Sequence, residues 1–93
     1  MVSKNRIKMV KLYGFEDCPY CQELKGLFDT NGIEYTYVDV MADENEKEIE
    51  KIFELTKQES VPVVLVNKTI LAPESSFKTI AEAYKLTLKF LNT

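Results

Sequence analysis

Two cysteines, the only ones in the chain, stand three positions apart in the segment GFEDCPYCQEL of residues 14 to 24. A pair with this spacing could be a structural disulfide, half of a metal site or a redox couple. One pair is too sparse for the disulfide frameworks that hold small secreted domains together. In a reducing compartment a close pair is more often catalytic or metal-binding than structural. Cys18 and Cys21 are therefore the first candidates for chemistry.

The rest of the composition bears on the choice between a metal site and redox chemistry. The chain contains no histidine, which excludes Cys-His catalysis and leaves one chain short of the roughly four ligands that zinc requires. A zinc or iron–sulfur site would need Cys18 and Cys21 from each of two chains, and both Pro19 and Pro62 would crowd the metal. We therefore favour a redox couple with no bound metal or cofactor, and keep the shared metal site as the alternative from another class.

Length, charge and hydropathy limit the kind of protein. The 93 residues, 45% of them hydrophobic, predict a single domain over residues 1–93. The net charge of −3 argues against nucleic acid as a general partner. The N-terminal residues hold no long apolar run, so we expect neither a signal peptide nor a membrane-spanning helix, and a cytoplasmic location. The acidic segment 43–59 is interpreted as a solvated helix face, with a docking surface for a basic partner as the alternative.

The hydrophobic pattern predicts strands and helices in the order β-α-β-α-β-β-α. Strands are expected over residues 7–14, 33–40, 61–66 and 69–72. Helices are expected from Pro19 to a cap at Asn31-Gly32, from a capping box of Asp43 and Glu46, and from a cap at Ser75 or Ser76. The last helix would bury the stripe Phe77, Ile80, Ala81, Tyr84, Leu88 and Leu91. One helix between the first two strands implies a parallel pair, and the later hairpin is antiparallel. The predicted fold is α/β, with a four-stranded mixed sheet flanked by three helices.

This arrangement positions Cys18 after the first strand, at about the N-cap of the first helix. Pro19 takes the first helical position, where its missing N–H costs nothing. Unpaired backbone N–H groups and the positive end of the helix dipole both favour a thiolate at this point. Cys21 lies one turn further along, on the side that faces the core. The geometry therefore assigns the attack to Cys18 and the resolution of a mixed disulfide to Cys21.

Val61 and Pro62 open an apolar strand after a polar stretch. A proline is tolerated at the first position of any strand. Together with a Cys-x-x-C segment at a strand-to-helix junction, however, it predicts a cis peptide bond. Such a bond would turn the backbone of Val61 toward Cys18, where its N–H and C=O could pair with an extended thiol peptide.

Three segments together resemble the glutaredoxin family, within the thioredoxin-like fold. They are CPYC after a strand, LKGLF on the next helix and SVPVVLVN before the hairpin, and the resemblance extends from about Ile7 to Tyr84. The opening KLYGFED is also similar to short glutaredoxins of bacteriophages. The resemblance implies that Cys18 is the nucleophile, that Cys21 is the resolving thiol, and that Val61-Pro62 is the cis pair.

The resemblance also implies a function, an electron donor and partners. The chain would be a monomeric dithiol–disulfide oxidoreductase acting on glutathione mixed disulfides or on protein disulfides, those of ribonucleotide reductase among them. Glutathione would supply the electrons and bind at Tyr20, Val61, Pro62, Ser75 and Ser76. A thioredoxin-like carrier reduced by a flavoprotein reductase is the alternative within redox chemistry.

Several positions depart from the family pattern. Phe15 stands where the family usually has a lysine that binds a carboxylate of glutathione, and Leu71-Ala72 replaces a Gly-Gly pair. Ser75 or Ser76 falls where an aspartate would hold the γ-glutamyl end at a helix N-terminus. We therefore expect weaker binding of glutathione and unchanged dithiol chemistry.

Glu16 and Asp17 directly precede Cys18, where their charges oppose the helix dipole. At an exposed site each charge acts by about 0.5–1 kcal/mol, so the dipole and the N–H groups should still favour the thiolate. Glu16 and Asp17 would then make the Cys18 thiolate less favourable than it would be without them. Alternatively, they only solubilise the loop or add N-terminal charge to the helix.

Overall fold

The computed structural model describes residues 9–92, and within that range the predicted order of strands and helices is confirmed. The elements are β1 (Val10–Gly14), α1 (Pro19–Thr30), β2 (Thr36–Asp39), a short 3-10 helix (Asp43–Asn45), α2 (Glu46–Thr56), β3 (Val63–Val66), β4 (Thr69–Leu71) and α3 (Ile80–Leu91). The first strand was predicted from residue 7, and its first two residues lie outside the described range.

The four strands form one mixed sheet in the order β2-β1-β3-β4. β1 pairs in parallel with β2, as a single crossover helix requires, and antiparallel with β3. β3 and β4 form the predicted antiparallel hairpin, which turns at Asn67 with a left-handed φ of 56°. Because β1 and β3 run in opposite directions, the loop after β1 and the residues before β3 meet at one end of the sheet.

The two faces of the sheet carry separate cores, because neighbouring strand residues point to opposite sides. The cluster on the face covered by α1 and α3 includes Leu12, Leu24, Phe28, Val64 and Ala83. The cluster on the face covered by α2 includes Tyr13, Val38, Ile49, Ile52 and Val63. Since α1 packs into the first core, burial of its apolar side chains fixes where its first turn lies.

A polar contact also fastens α2 to the sheet. The buried Tyr13 donates a hydrogen bond from its hydroxyl to the Glu48 carboxylate over 2.7 Å, and the Lys11 ammonium pairs with the same oxygen at 2.9 Å. Hydrogen bonds from Lys11 and Tyr13 lower the pKa of Glu48, whereas burial and then the contact with Glu48 raise the pKa of Tyr13. The hydroxyl therefore remains a donor and the carboxylate an acceptor.

The start of α3 differs from the prediction. Neither Ser75 nor Ser76 caps the helix: its N-cap is Thr79, in a capping box with Glu82. Ser76 instead accepts a hydrogen bond from the Ala72 N–H, within a turn that precedes the helix. The prediction was wrong because Thr79 is a better cap than either serine. Thr79 has Glu82 three residues later, and the two side chains together satisfy two backbone N–H groups.

The buried face of α3 is also different from the predicted stripe. Ile80, Ala83 and Thr87 are buried, whereas Ala81 is exposed and Leu88 is only partly buried. Thr87 can lie in the core because its hydroxyl donates to the Ala83 carbonyl oxygen over 2.8 Å. Because Thr87 is polar, the buried face of α3 does not show as a regular spacing of apolar residues in the sequence.

The capping box predicted for Asp43 and Glu46 is wrong as well. A 3-10 turn over Asp43–Asn45 leads into α2, and neither it nor the helix has a side-chain hydrogen bond at its N-cap. The predicted helix itself is present, with Ile49 and Ile52 buried.

Candidate functional site

Cys18 and Cys21 form a disulfide at the N-terminus of α1, with their Cα atoms 5.2 Å apart. Cys18 is the N-cap residue, in an extended conformation with φ −93° and ψ 109°, and Pro19 opens the helix. The Cys18 sulfur accepts a hydrogen bond from the Cys21 N–H over 3.2 Å. The predicted position of the pair is confirmed. An N–H aimed at this sulfur, together with the positive end of the helix dipole, favours a thiolate in the reduced protein.

The two sulfur-bearing residues differ in their access to solvent. Cys18 keeps 6% of its surface exposed, whereas Cys21 keeps none. Cys21 lies on the face of α1 that packs against the sheet, together with Leu24 and Phe28. Both residues are largely buried, but only Cys18 keeps any accessible surface, and this difference supports Cys18 as the attacking residue.

Gly14, the last residue of β1, belongs to the site although the sequence analysis did not single it out. A Cβ added at Gly14 would lie 2.7 Å from the Cys21 sulfur and 2.8 Å from the Cys21 Cβ. Such distances are shorter than Cβ atoms tolerate, so the strand passes this close to the pair only because the residue is glycine. A glycine that ends a strand shortly before a Cys-x-x-C segment is the signal that would have identified it.

The loop between β1 and α1 is organised around the carbonyl oxygen of Phe15. The Cys18 N–H donates to this oxygen over 3.1 Å, and the side-chain amide of Gln22 donates to it over 3.3 Å. These bonds tie the nucleophile to both the loop and the helix. Glu16 and Asp17 are exposed, as their position in a loop predicts.

The Val61-Pro62 peptide bond is cis, as predicted. The antiparallel pairing of β1 with β3 brings this bond to the end of the sheet that carries the cysteines. A cavity of about 360 Å³ opens there, lined by residues that include Tyr20, Val61, Pro62, Phe77, Lys78 and Thr79. The cysteines do not line the cavity themselves. Tyr20, which is 64% exposed and stands between them in the sequence, links the cavity to the pair.

Ser75 and Ser76, the other two predicted binding residues, do not line this cavity. Lys78 and Thr79, at the N-cap of α3, line it instead, because α3 begins later than expected. The structure therefore brings together three of the five residues predicted to bind glutathione: Tyr20, Val61 and Pro62.

The backbone N–H groups at the start of α3 already have a partner within the protein. The Glu82 carboxylate accepts hydrogen bonds from the N–H groups of Lys78 and Thr79 over 2.7 and 3.2 Å. The Thr79 hydroxyl accepts in turn from the Glu82 N–H over 3.1 Å. The hydrogen bonds from Lys78 and then Thr79 lower the pKa of Glu82. A carboxylate of the chain thus occupies donors that an anionic ligand would otherwise use.

Within residues 9–92, no cluster of three or more cysteine, aspartate or glutamate side chains is arranged to hold a metal ion. None of the helices in this part of the chain is both long and apolar enough to cross a membrane.

The chain is similar in sequence to glutaredoxins. A glutaredoxin family model matches residues 10–71. An uncharacterised glutaredoxin-like 8.6 kDa protein in the rubredoxin operon of Clostridium pasteurianum is 33% identical over 63 residues, which are 68% of this chain and 81% of that protein.

Two solved structures illustrate the likeness of fold. A glutaredoxin from Archaeoglobus fulgidus matches with a TM-score of 0.61 and 24% identity, over 73% of this chain and 77% of that one. A buckwheat glutaredoxin–glutathione complex matches with a TM-score of 0.70 and 16% identity, over 91% of this chain and 77% of that one. At these identities the structures speak for the fold alone, and the predicted thioredoxin-like fold is confirmed.

Proposed function

The chain belongs to the glutaredoxin family, and from this premise we propose that it is a dithiol–disulfide oxidoreductase that takes its electrons from glutathione. The observation that carries the proposal is the Cys18–Cys21 disulfide at the start of α1. Thiol–disulfide exchange requires a nucleophilic sulfur, a second thiol within reach and a surface for the substrate. The exposed edge of Cys18, the shielded Cys21 and the adjoining cavity supply these three parts.

The reduction of a substrate begins with attack by the Cys18 thiolate on one sulfur of the substrate disulfide. A mixed disulfide between Cys18 and the substrate forms, and the first substrate thiolate leaves and takes up a proton. The Cys21 thiolate then attacks the Cys18 sulfur, and the second substrate thiolate leaves in the same way. The substrate gains two electrons and two protons, and the protein is left with the Cys18–Cys21 disulfide.

Two glutathione molecules then restore the dithiol. The first forms a mixed disulfide with Cys18 and releases Cys21, and the second attacks that mixed disulfide and departs as glutathione disulfide. The cavity supports this assignment, because Val61 lies beside it and outside the β3 ladder, where its backbone can pair with the cysteine of the tripeptide. Lys78, also on the cavity wall, offers a positive charge for a glutathione carboxylate. The buckwheat glutaredoxin that shares this fold is bound to glutathione in its crystal structure.

We further propose protein disulfides as the electron acceptors, with ribonucleotide reductase the partner that the family resemblance implies. The protein would act in the cytoplasm, because a Cys pair that cycles between dithiol and disulfide needs a reducing thiol pool. It would act as a monomer, as the family resemblance implies.

A thioredoxin-like carrier is the second candidate, and two observations favour it. The Glu82 carboxylate already holds the N–H groups of Lys78 and Thr79, and Phe15 replaces the expected lysine. Both features weaken the recognition of a tripeptide that carries two carboxylates. A flavoprotein reductase would not depend on either feature.

A coupled assay on one disulfide substrate decides between the two candidates. The protein is supplied with NADPH and either glutathione plus glutathione reductase or a thioredoxin reductase. We expect turnover with the glutathione system and little with the thioredoxin reductase. Turnover with the thioredoxin reductase alone would transfer the assignment to the carrier, and turnover with neither would overturn the oxidoreductase assignment. The Cys18→Ser variant is the control for background exchange.

A further inference from the structure

Tyr37 of β2 carries a buried hydroxyl that has no hydrogen-bond partner among the residues that the structure describes. Its side chain packs at the edge of the core beneath α1 and α3, and its backbone is in register with Leu12 of β1. Leaving a buried hydroxyl unpaired is unfavourable, and native proteins rarely do so without a reason. The position of this hydroxyl therefore calls for an explanation.

The hydroxyl and the resolving cysteine both lie next to Gly14. The point where a Cβ of Gly14 would stand is 3.2 Å from the Tyr37 hydroxyl oxygen and 2.7 Å from the Cys21 sulfur. Both atoms therefore lie against Gly14, and the absence of a side chain at this residue leaves room for them to approach each other. In the oxidised protein the Cys21 sulfur is bonded to Cys18 and is only a weak acceptor.

We propose that the Tyr37 hydroxyl donates a hydrogen bond to the Cys21 sulfur once the disulfide is reduced, and that this bond stabilises the Cys21 thiolate. The role rests on the proposed dithiol function, in which Cys21 resolves the mixed disulfide on Cys18. Tyr37 is then a positioning residue for the resolving thiol. In the disulfide the sulfur carries no charge, which explains why the hydroxyl has lost its partner.

The groups around Tyr37 suit it to be a donor. Burial, followed by the negative charge of Asp39 on β2, raises the pKa of Tyr37, and Glu16 in the loop adds to the effect. The side-chain amide of Gln22 on α1 lowers the pKa, because it points a hydrogen-bond donor toward the Tyr37 hydroxyl oxygen; the hydrogen bond that it completes is to the Phe15 carbonyl oxygen. A donor cannot accept the proton of the hydroxyl, so that proton still has no acceptor. The Lys25 ammonium, also on α1, lies over the ring, 4.9 Å from its centroid. The hydroxyl therefore keeps its proton and can donate it in a hydrogen bond.

The hydrogen bond from Tyr37 to Cys21 would affect the redox equilibrium through the resolving step. The Cys21 thiolate attacks the Cys18 sulfur of the mixed disulfide, the Cys18–Cys21 bond forms, the bond from Cys18 to the substrate sulfur breaks, and the substrate leaves as a thiolate that is protonated by water. The hydrogen bond from Tyr37 is present before the step and absent after it. It therefore stabilises the reduced protein only, and its loss shifts the redox equilibrium toward the disulfide.

A titration of Cys21 alone tests the proposal. In the Cys18→Ser background Cys21 is the single thiol of the chain, and its thiolate is followed by ultraviolet absorbance against pH. We expect Tyr37→Phe to move the midpoint upward by about one pH unit, because a hydrogen bond to a charged group is lost. Tyr35→Phe is the matched control, since the Tyr35 hydroxyl donates to Asp29 on the surface, and it should not move the midpoint. An unchanged midpoint in Tyr37→Phe would overturn the proposal.

Redox equilibration of the chain with both cysteines provides the second measurement. In glutathione buffers we expect Tyr37→Phe to favour the disulfide over the dithiol by about tenfold relative to the unsubstituted protein. Its melting temperature in the oxidised form should not fall, because no hydrogen bond is removed there. Equal losses of melting temperature in the oxidised and reduced forms would mean a packing role and would overturn the proposal. The titration uses neither glutathione nor a substrate disulfide, so its outcome is independent of whether the proposed function is correct.

Discussion

Two helix N-termini lie at the candidate site, and their caps differ in chemistry. At α1 the cap is the Cys18 sulfur, which accepts the Cys21 N–H and whose charge and bonding change during thiol exchange. At α3 the cap is the Thr79 hydroxyl, with the Glu82 carboxylate on the neighbouring N–H groups. Both ends satisfy backbone donors, but only the first does so with a reactive atom.

This difference shows how one structural device can serve chemistry or stability. The positive end of the α1 dipole acts on a sulfur that can become an anion, so the helix favours the reactive state of the protein. The corresponding end of α3 is matched to the Glu82 carboxylate of the same helix, which takes no part in thiol chemistry. A capping box therefore stabilises α3 at the cost of making its N–H groups less available to a ligand.

Removing the reactive cap should have the largest effect. Cys18→Ser is expected to abolish disulfide reduction, because the more accessible of the two sulfurs is removed. Cys21→Ser should block the reduction of protein disulfides but retain some exchange with glutathione mixed disulfides, which needs only the first thiol. Rates of both reactions, with alkylation of the reduced protein by iodoacetamide, provide the test. Faster alkylation of Cys21 than of Cys18 would reverse the two roles.

Crowding the reactive helix end should have the next largest effect. Gly14→Ala introduces a Cβ that would lie 2.7 Å from the Cys21 sulfur, and such overpacking typically costs about 1–3 kcal/mol of unfolding free energy. Gly26→Ala is the matched control in α1, since a Cβ there meets nothing within 4 Å, and it should stabilise the helix by about 0.5–1 kcal/mol. Urea unfolding of both variants measures the difference. Equal stabilities would contradict the close approach of β1 to the cysteine pair.

Removing the Thr79 cap of α3 should have a smaller effect on stability and no effect on the reactivity of Cys18. Thr79→Ala is expected to lower the unfolding free energy by about 1 kcal/mol, because one hydrogen bond to the helix N-terminus is lost. The alkylation rate of Cys18 in the reduced protein should not change. A slower alkylation rate would mean that the two helix ends are coupled.

The Glu82 carboxylate at the start of α3 should also make the free energy of unfolding depend on pH. Hydrogen bonds in the folded state lower the pKa of Glu82 from its ordinary value of 4.5. Its contribution is therefore present above that value and is lost as the pH falls through the lower folded pKa. Glu82→Gln keeps an acceptor for the capping box but cannot titrate, so this part of the acid sensitivity should disappear. Thermal unfolding of both proteins between pH 7 and about pH 3 measures the change, and identical pH profiles would contradict it.

Changing the charge beside the reactive cap should have the smallest effect. Asp17→Lys is expected to make the couple more oxidising by about 20 mV or less, because only the reduced protein carries a thiolate and both charges are exposed. Asp17→Asn should give about half of the shift. Equilibration with glutathione buffers at low and high salt measures both variants. No shift at low salt would leave Glu16 and Asp17 as loop-solubilising residues only.

Local features explain what could be predicted from the sequence. The Cys-Pro pair at a strand end, the Asn31-Gly32 stop and the strand opened by Val61-Pro62 each depend on a few adjacent residues, and the structure confirms these elements. The apolar runs that become β1 and β3 also led to the correct mixed sheet. By contrast, the cap of α3 could not be read with certainty from a segment in which Ser75, Ser76 and Thr79 all stand near the helix start.

The amino-acid sequence by itself determined the redox pair, its place at a helix N-terminus and which cysteine is the more accessible, because these follow from the spacing of Cys18 and Cys21 along one helix. Only the tertiary structure decided which residues join them. The parallel pairing of β1 with β2 brings Tyr37 to Gly14, whose other neighbour is Cys21. Such contacts depend on packing between segments far apart in the chain, and no local pattern encodes them.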